Sequence, residues 1–128
     1  MMVSKTHTGS HSHLYTPARQ TFTIGLTWDG KRLEHRPANI SLAPVTGTEE
    51  VRLSVSAPFY DDPPPPGGLP GQAYFGLWDY EVVEAFFLNA DDQYLEVEFG
   101  PHGQHIVLLL DGRRNAIKSV WRPGLSLR

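Results

Sequence analysis

The chain contains no cysteine, which excludes disulfides, thiolate chemistry and zinc sites built on cysteine. No apolar run approaches the roughly 18 residues of a membrane-spanning helix. The first 20 residues lack the apolar stretch of a secretory signal, so a cytoplasmic protein without membrane contact is expected. A length of 128 residues suits one domain.

Basic residues are missing from the centre of the chain. No Lys or Arg lies between Leu53 and Gly112, whereas ten of the fourteen acids do. These acids are Asp61, Asp62, Asp79, Glu81, Glu84, Asp91, Asp92, Glu96, Glu98 and Asp111. Because phosphate recognition needs clustered Lys and Arg, nucleic acid is not expected as a partner.

Helical patterning is also missing, because no segment carries a 3.6-residue apolar stripe bounded by caps. Alternation of apolar and polar residues instead predicts strands at 21–27, 40–42, 51–55, 82–88, 94–99, 104–110 and 116–121. The Asp111-Gly112 pair is the strongest hairpin signal. We therefore predict an all-β, antiparallel β-sandwich over residues 21–121, with a flexible arm at 1–20 and a flexible tail at 122–128.

A proline-rich loop, residues 58–76, interrupts the predicted strands with six prolines and four glycines. It contains four consecutive prolines, Pro63, Pro64, Pro65 and Pro66. Proline fixes φ and removes a donor, so this run is expected to be extended and outside any sheet interior. Long loops in compact domains are usually functional or disordered.

Loop lengths predict the register of the acidic strands. A loop over 89–93 places Glu84 opposite Glu98, and a loop over 100–103 places Glu98 opposite His105. One predicted face is an apolar core wall of Val83, Ala85, Phe87, Leu95, Val97, Phe99, Ile106, Leu108 and Leu110. The other predicted face carries Glu84, Phe86, Leu88, Tyr94, Glu96, Glu98, His105, Val107 and Leu109.

This second face combines aromatic side chains with a row of Glu84, Glu98 and His105. Opposed carboxylates repel, so the row costs stability unless a cation, a proton or a hydrogen-bonding ligand relieves it. Three interpretations remain open: a solvated outer face, a surface for a sugar or other polar small molecule, and metal binding or acid–base catalysis. The predicted ligand-binding residues are Glu84, Phe86, Tyr94, Glu96, Glu98 and His105; no catalytic residue, metal site or cofactor is predicted.

Several motifs resemble known families. Residues 76–88 (GLWDYEVVEAFFL), 94–98 (YLEVE) and 101–104 (PHGQ) resemble family-9 carbohydrate-binding modules and the related DOMON-like β-sandwiches. Residues 27–30 (TWDG), 56–60 (SAPFY) and the block 78–115 more closely resemble an animal family known as a chromosome-4 open-reading-frame family, of unknown function. The resemblance covers residues 21–117, and chains of that family continue well past the position where this chain ends, so we expect an incomplete sandwich, from a truncated or alternatively spliced form.

The resemblance implies a jelly-roll-like, non-catalytic sandwich that binds a sugar, with Glu84 and Tyr94 at matching motif positions. The predicted function is therefore a binding module for carbohydrate or another polar small molecule. One alternative is a protein–protein interaction domain that uses the acidic face and the proline-rich loop to recruit a basic or proline-reading partner. A glycoside hydrolase is the third alternative, since paired glutamates serve that chemistry.

Overall fold

The structure, a computed structural model, describes residues 18–119. These residues form two compact units, 18–58 and 59–119. Within them lie seven strands in two antiparallel sheets and one short 3-10 helix, which confirms the predicted all-β class. No helix in 18–119 is long and apolar enough to cross a membrane. Most of the predicted arm and the whole predicted tail lie outside the described residues.

The first unit is a three-stranded sheet. It consists of β1 (Gln20–Ile24), β2 (Ala38–Pro44) and β3 (Val51–Ser56), in the order β1-β2-β3. Ile40 at its centre is buried and pairs with Phe22 on one side and Val55 on the other, so the predicted alternation is confirmed. A turn follows β1, in which Gly30 N donates to Thr27 O at 3.0 Å.

The second unit is a four-stranded sheet of successive hairpins. Its strands are β4 (Val83–Leu88), β5 (Gln93–Phe99), β6 (His105–Asp111) and β7 (Ala116–Ser119), in the order β4-β5-β6-β7. The predicted β4–β5 register is confirmed, since Glu84 pairs with Glu98. The predicted hairpin at Asp111 is confirmed as well, because Asp111 N donates to Asn115 O at 2.9 Å.

The predicted β5–β6 register is wrong by one residue. Phe99 pairs with His105 and Glu98 pairs with Ile106. The cause is the turn at Gly100: Gly103 N donates to Gly100 O at 3.1 Å, and Gly100 N donates to Gln104 O at 2.9 Å. Gly103 has a φ of +91°, the left-handed conformation that ends a three-residue hairpin loop. Gly100 therefore pairs with Gln104, and every side chain of β6 lies on the face opposite to the predicted one.

This one-residue shift also makes the predicted core wall wrong. Side chains alternate along a strand, so Ile106, Leu108 and Leu110 move to the face that carries the glutamates. There they form the buried core of this unit with Leu77 from the 3-10 helix (Leu77–Asp79). Tyr74, Val82 and Tyr94 are partly buried against this core. On the opposite face of this sheet, Val97 is the one residue of the predicted wall that is buried.

The proline-rich loop is paired with the second sheet near its end. Ala73 forms a parallel bridge with His105, supported by Tyr74 N donating to His105 O at 2.9 Å. The start of the loop is fixed by Glu81, whose carboxylate accepts hydrogen bonds from Tyr60 N at 3.0 Å and Asp61 N at 2.8 Å. These contacts bring Leu77 over the core.

Candidate functional site

Three glutamates converge on one face of the β4–β5 hairpin. Glu84 and Glu98 are direct cross-strand partners, and Glu96 lies two residues before Glu98 on the same face. One carboxylate oxygen of each side chain lies within 4.8 Å of the corresponding oxygens of the other two. We call Glu84, Glu96 and Glu98 the carboxylate cluster. Its members share a face because Glu84 pairs with Glu98 and side chains alternate along β5, which puts Glu96 on the same face as Glu98.

Burial within the carboxylate cluster is uneven. Glu98 is 0% exposed, whereas Glu84 and Glu96 are half-buried. None of residues 18–119 donates a hydrogen bond to either carboxylate oxygen of Glu98. A buried carboxylate without donors is costly, because the desolvation of the charge is not compensated. Glu98 is thus the interior end of a group of carboxylates that reaches the surface through the other two.

The electrostatics of the cluster favour protonation. Burial, followed in size by the nearby charges of Glu84 and Glu96, raises the pKa of Glu98 to about 8. Burial and the charge of Glu84 also raise the pKa of Glu96. A protonated Glu98 can donate to Glu96, which stabilises the proton on Glu98. A proton is therefore one means of reducing the repulsion between these carboxylates, and a bound cation or a hydrogen-bond donor is another.

Apolar and aromatic side chains surround the carboxylate cluster. Ile106 lies opposite Glu98 and Leu108 lies opposite Glu96, and both are buried. Phe86 lies opposite Glu96 on β4 and Tyr94 lies two residues before Glu96 on β5, with ring centroids 6.0 Å apart and an interplanar angle of 54°. The predicted residues Glu84, Phe86, Tyr94, Glu96 and Glu98 thus share one face. The buried apolar neighbours lower the polarity around Glu98, which strengthens electrostatic interactions there.

His105, the sixth predicted site residue, lies on the opposite face. It pairs with Phe99, so the predicted row of Glu84, Glu98 and His105 does not exist. The His105 side chain is buried, and its Nδ1 has no hydrogen-bond partner among residues 18–119. Burial lowers the pKa of the imidazole, which favours its neutral form. The loop length alone did not reveal the left-handed Gly103 that displaces His105.

Exposed aromatic side chains lie at the end of the proline-rich loop and in the 3-10 helix that follows it. Phe75 and Trp78 are exposed and contact each other edge to face, with centroids 5.0 Å apart. Pro66 is buried, unlike the three prolines before it. A cleft beside this segment, lined in part by Tyr80 and Glu81, encloses about 190 Å³ including open solvent. That is below the roughly 300–1,000 Å³ of small-molecule pockets.

Comparison with known proteins supports the resemblance to the chromosome-4 open-reading-frame family. The chain is 56% identical over 107 residues to the human UPF0462 protein C4orf33, covering 83% of this chain and 51% of that protein. It is 53% identical over 107 residues to the rat homologue and 52% identical over 96 residues to the zebrafish homologue. Its close homologues are UPF0462 proteins.

The chain spans about half the length of the UPF0462 relatives that it matches: 51% of the rat protein and 48% of the zebrafish protein. The shared name assigns no activity to them. No family model matches the chain, and no solved structure is significantly similar to it. The resemblance to family-9 carbohydrate-binding modules therefore stays a prediction.

Proposed function

We propose that this chain is a non-catalytic binding module whose site is the carboxylate cluster with Phe86 and Tyr94. Its ligand is a small polar molecule rich in hydrogen-bond donors, with a sugar or polyol as the leading class. The observation that carries the proposal is the buried Glu98, whose two carboxylate oxygens accept no hydrogen bond from residues 18–119. Ligand hydroxyls that donate to the cluster would compensate this desolvation.

The aromatic pair supports the same ligand class. Phe86 and Tyr94 flank Glu96 on the hairpin face, so apolar ring surface lies beside hydrogen-bond acceptors. Sugar rings present apolar C–H faces and polar edges, and a site for them needs both kinds of group. This combination favours a sugar over a purely apolar ligand.

The geometry of the carboxylates favours binding over glycoside hydrolysis. Catalytic carboxyl pairs stand about 5–5.5 Å apart in retaining enzymes and about 6.5–9.5 Å apart in inverting ones, on either side of the scissile bond. Here oxygens of Glu84, Glu96 and Glu98 lie within 4.8 Å of one another on one face, and Glu98 is fully buried. A sugar on this face would meet the half-buried Glu84 and Glu96 from the same side, with the buried Glu98 behind them.

Calorimetric titration with neutral monosaccharides, oligosaccharides and polyols tests the proposal. We expect one ligand site, and binding at least tenfold weaker in Glu98→Gln and Phe86→Ala. Asp91→Asn is the matched control, because Asp91 is an exposed acid in the β4–β5 loop and should retain the affinity. Unchanged affinity in both site variants would contradict this assignment, as would failure of every sugar and polyol to bind the folded chain.

A second candidate function is protein–protein interaction through the proline-rich loop. The exposed Phe75 at the end of the loop and the exposed Trp78 in the following 3-10 helix favour it, because their rings contact each other and grouped exposed apolar side chains mark interaction surfaces. Affinity purification with the chain and with a Phe75→Ala/Trp78→Ala variant tests it. Partners retained equally by both would exclude this surface, whereas partners lost only with the variant would support it.

A further inference from the structure

We propose that the carboxylate cluster binds one hard divalent cation of the calcium class, with Glu84, Glu96 and Glu98 as its ligands. This inference rests on the proposed binding site and specifies what the three carboxylates hold. A cation there neutralises the repulsion between the acids and offers further coordination positions to hydroxyl oxygens of a ligand.

The separation of the oxygens fits one ion. Calcium binds its oxygen ligands at about 2.3–2.6 Å, so two oxygens on opposite sides of the ion lie roughly 4.6–5.2 Å apart. One oxygen from each of the three glutamates lies within 4.8 Å of the others. All three can therefore reach a common centre with small side-chain adjustments.

The kind of donor selects the kind of cation. The cluster consists of carboxylate oxygens alone, since the register turns His105 to the other face and the chain has no cysteine. Zinc and copper favour imidazole or thiolate, whereas calcium, magnesium and manganese favour carboxylates. Calcium tolerates irregular geometry and bidentate carboxylates, whereas magnesium demands a near-ideal octahedron and retains water.

Glu98 provides an observation independent of the clustering. Its side chain is 0% exposed and directed into the cluster, and none of residues 18–119 donates to its two oxygens. Exposed acids can be solvated by water, so their grouping alone implies no ligand. A fully buried carboxylate has no such solvation and requires a counter-charge, a proton or a metal ion.

The experiment is calorimetric titration of the full chain, stripped with chelator, at pH 7.5 with CaCl₂, MgCl₂ and ZnCl₂ in separate runs. We expect one equivalent of Ca²⁺ to bind more tightly than Mg²⁺ and to raise the melting temperature by mass action. Glu98→Gln and Glu96→Gln should each weaken Ca²⁺ binding at least tenfold. Asp91→Asn removes the same charge outside the cluster and should stay within twofold.

Far-ultraviolet circular dichroism of each metal-free variant separates loss of a ligand from loss of the fold. If Glu98→Gln does not fold, the variant Glu96→Gln, at a half-buried position, decides the outcome.

The cation site is overturned by the absence of Ca²⁺ binding at millimolar concentration, by binding that survives both glutamine variants, or by Zn²⁺ binding that depends on His105. Sugar binding in chelator without Ca²⁺ uptake overturns the cation site and keeps the proposed function. Ca²⁺ binding without any sugar or polyol binding overturns the proposed function and keeps the cation site.

Discussion

Glu98 on β5 lies directly opposite Glu84 on β4, while its partner on β6 is the buried Ile106. Two like charges thus face each other across one ladder, and one of them has no exposed surface. Directly opposed like charges destabilise a sheet, and burial increases the cost. The fold can retain this arrangement at neutral pH because Glu98, with its raised pKa, can hold a proton.

The stability of the metal-free chain should therefore fall as pH rises. Glu98 has a pKa of about 8 when folded, against about 4.3 in an unfolded chain. Its protonated form stabilises the fold fully below the unfolded pKa, and this contribution is lost as pH rises through the folded pKa. Urea unfolding from pH 5 to 9 in chelator should show a slope of up to about 1.4 kcal/mol per pH unit for one proton.

Glu98→Gln provides the control for this pH dependence. Glutamine keeps the shape of the protonated acid and cannot ionise, so the slope should flatten and the variant should be more stable than the natural chain at pH 9. The raised pKa of Glu96 contributes in the same direction and leaves a smaller residual slope. Parallel pH profiles for the two proteins would show that Glu98 does not titrate in this window.

Leu77 should be the most sensitive core position of the second unit. It is 0% exposed and packs with Ile106, Leu108 and Leu110. Leu77→Ala should lower the free energy of unfolding by about 2–5 kcal/mol, because it removes a buried side chain and leaves a cavity. The control Leu69→Ala lies at a site that is 66% exposed and should cost under about 1 kcal/mol. Similar urea midpoints for both variants would contradict this difference.

Much of this unit could be predicted from sequence because strand alternation is local. The β4–β5 register followed from loop length, which placed Glu84, Glu96 and Glu98 on one face. The position of His105 could not be predicted in this way, since it depends on the left-handed φ of Gly103. The packing of Leu77 onto the core could not be predicted either, because long-range pairing between the proline-rich loop and β6 positions Leu77.

Glu81 should control the local order of the start of the proline-rich loop. Its carboxylate accepts hydrogen bonds from Tyr60 N and Asp61 N, groups about 20 residues away in sequence. Glu81→Ala should accelerate hydrogen exchange at these two amides, with a change in global stability of about 1 kcal/mol or less because the bonds are exposed. Asp79→Ala removes an acid two residues away and should leave both exchange rates unchanged. Equal exchange in the two variants would exclude this role.

Gly103 is constrained both by its backbone conformation and by the space around it. Its φ is +91°, and a Cβ there would lie 3.1 Å from Pro70 Cβ and 3.2 Å from Pro70 Cα. Gly112 shares the positive φ, at +79°, yet a Cβ there meets no atom within 4 Å. Gly112→Ala should therefore cost about 1–2 kcal/mol from the backbone alone.

Gly103→Ala should cost that amount plus about 1–3 kcal/mol for the overpacking. The difference between the two urea unfolding free energies measures how firmly the proline-rich loop is held against the turn that sets the β6 register. A clash that displaces Pro70 should also accelerate hydrogen exchange at Gly71 N, which donates to Gly103 O at 2.8 Å. Equal costs at the two glycines, with slow exchange at Gly71, would mean that the loop moves aside freely and does not hold the turn.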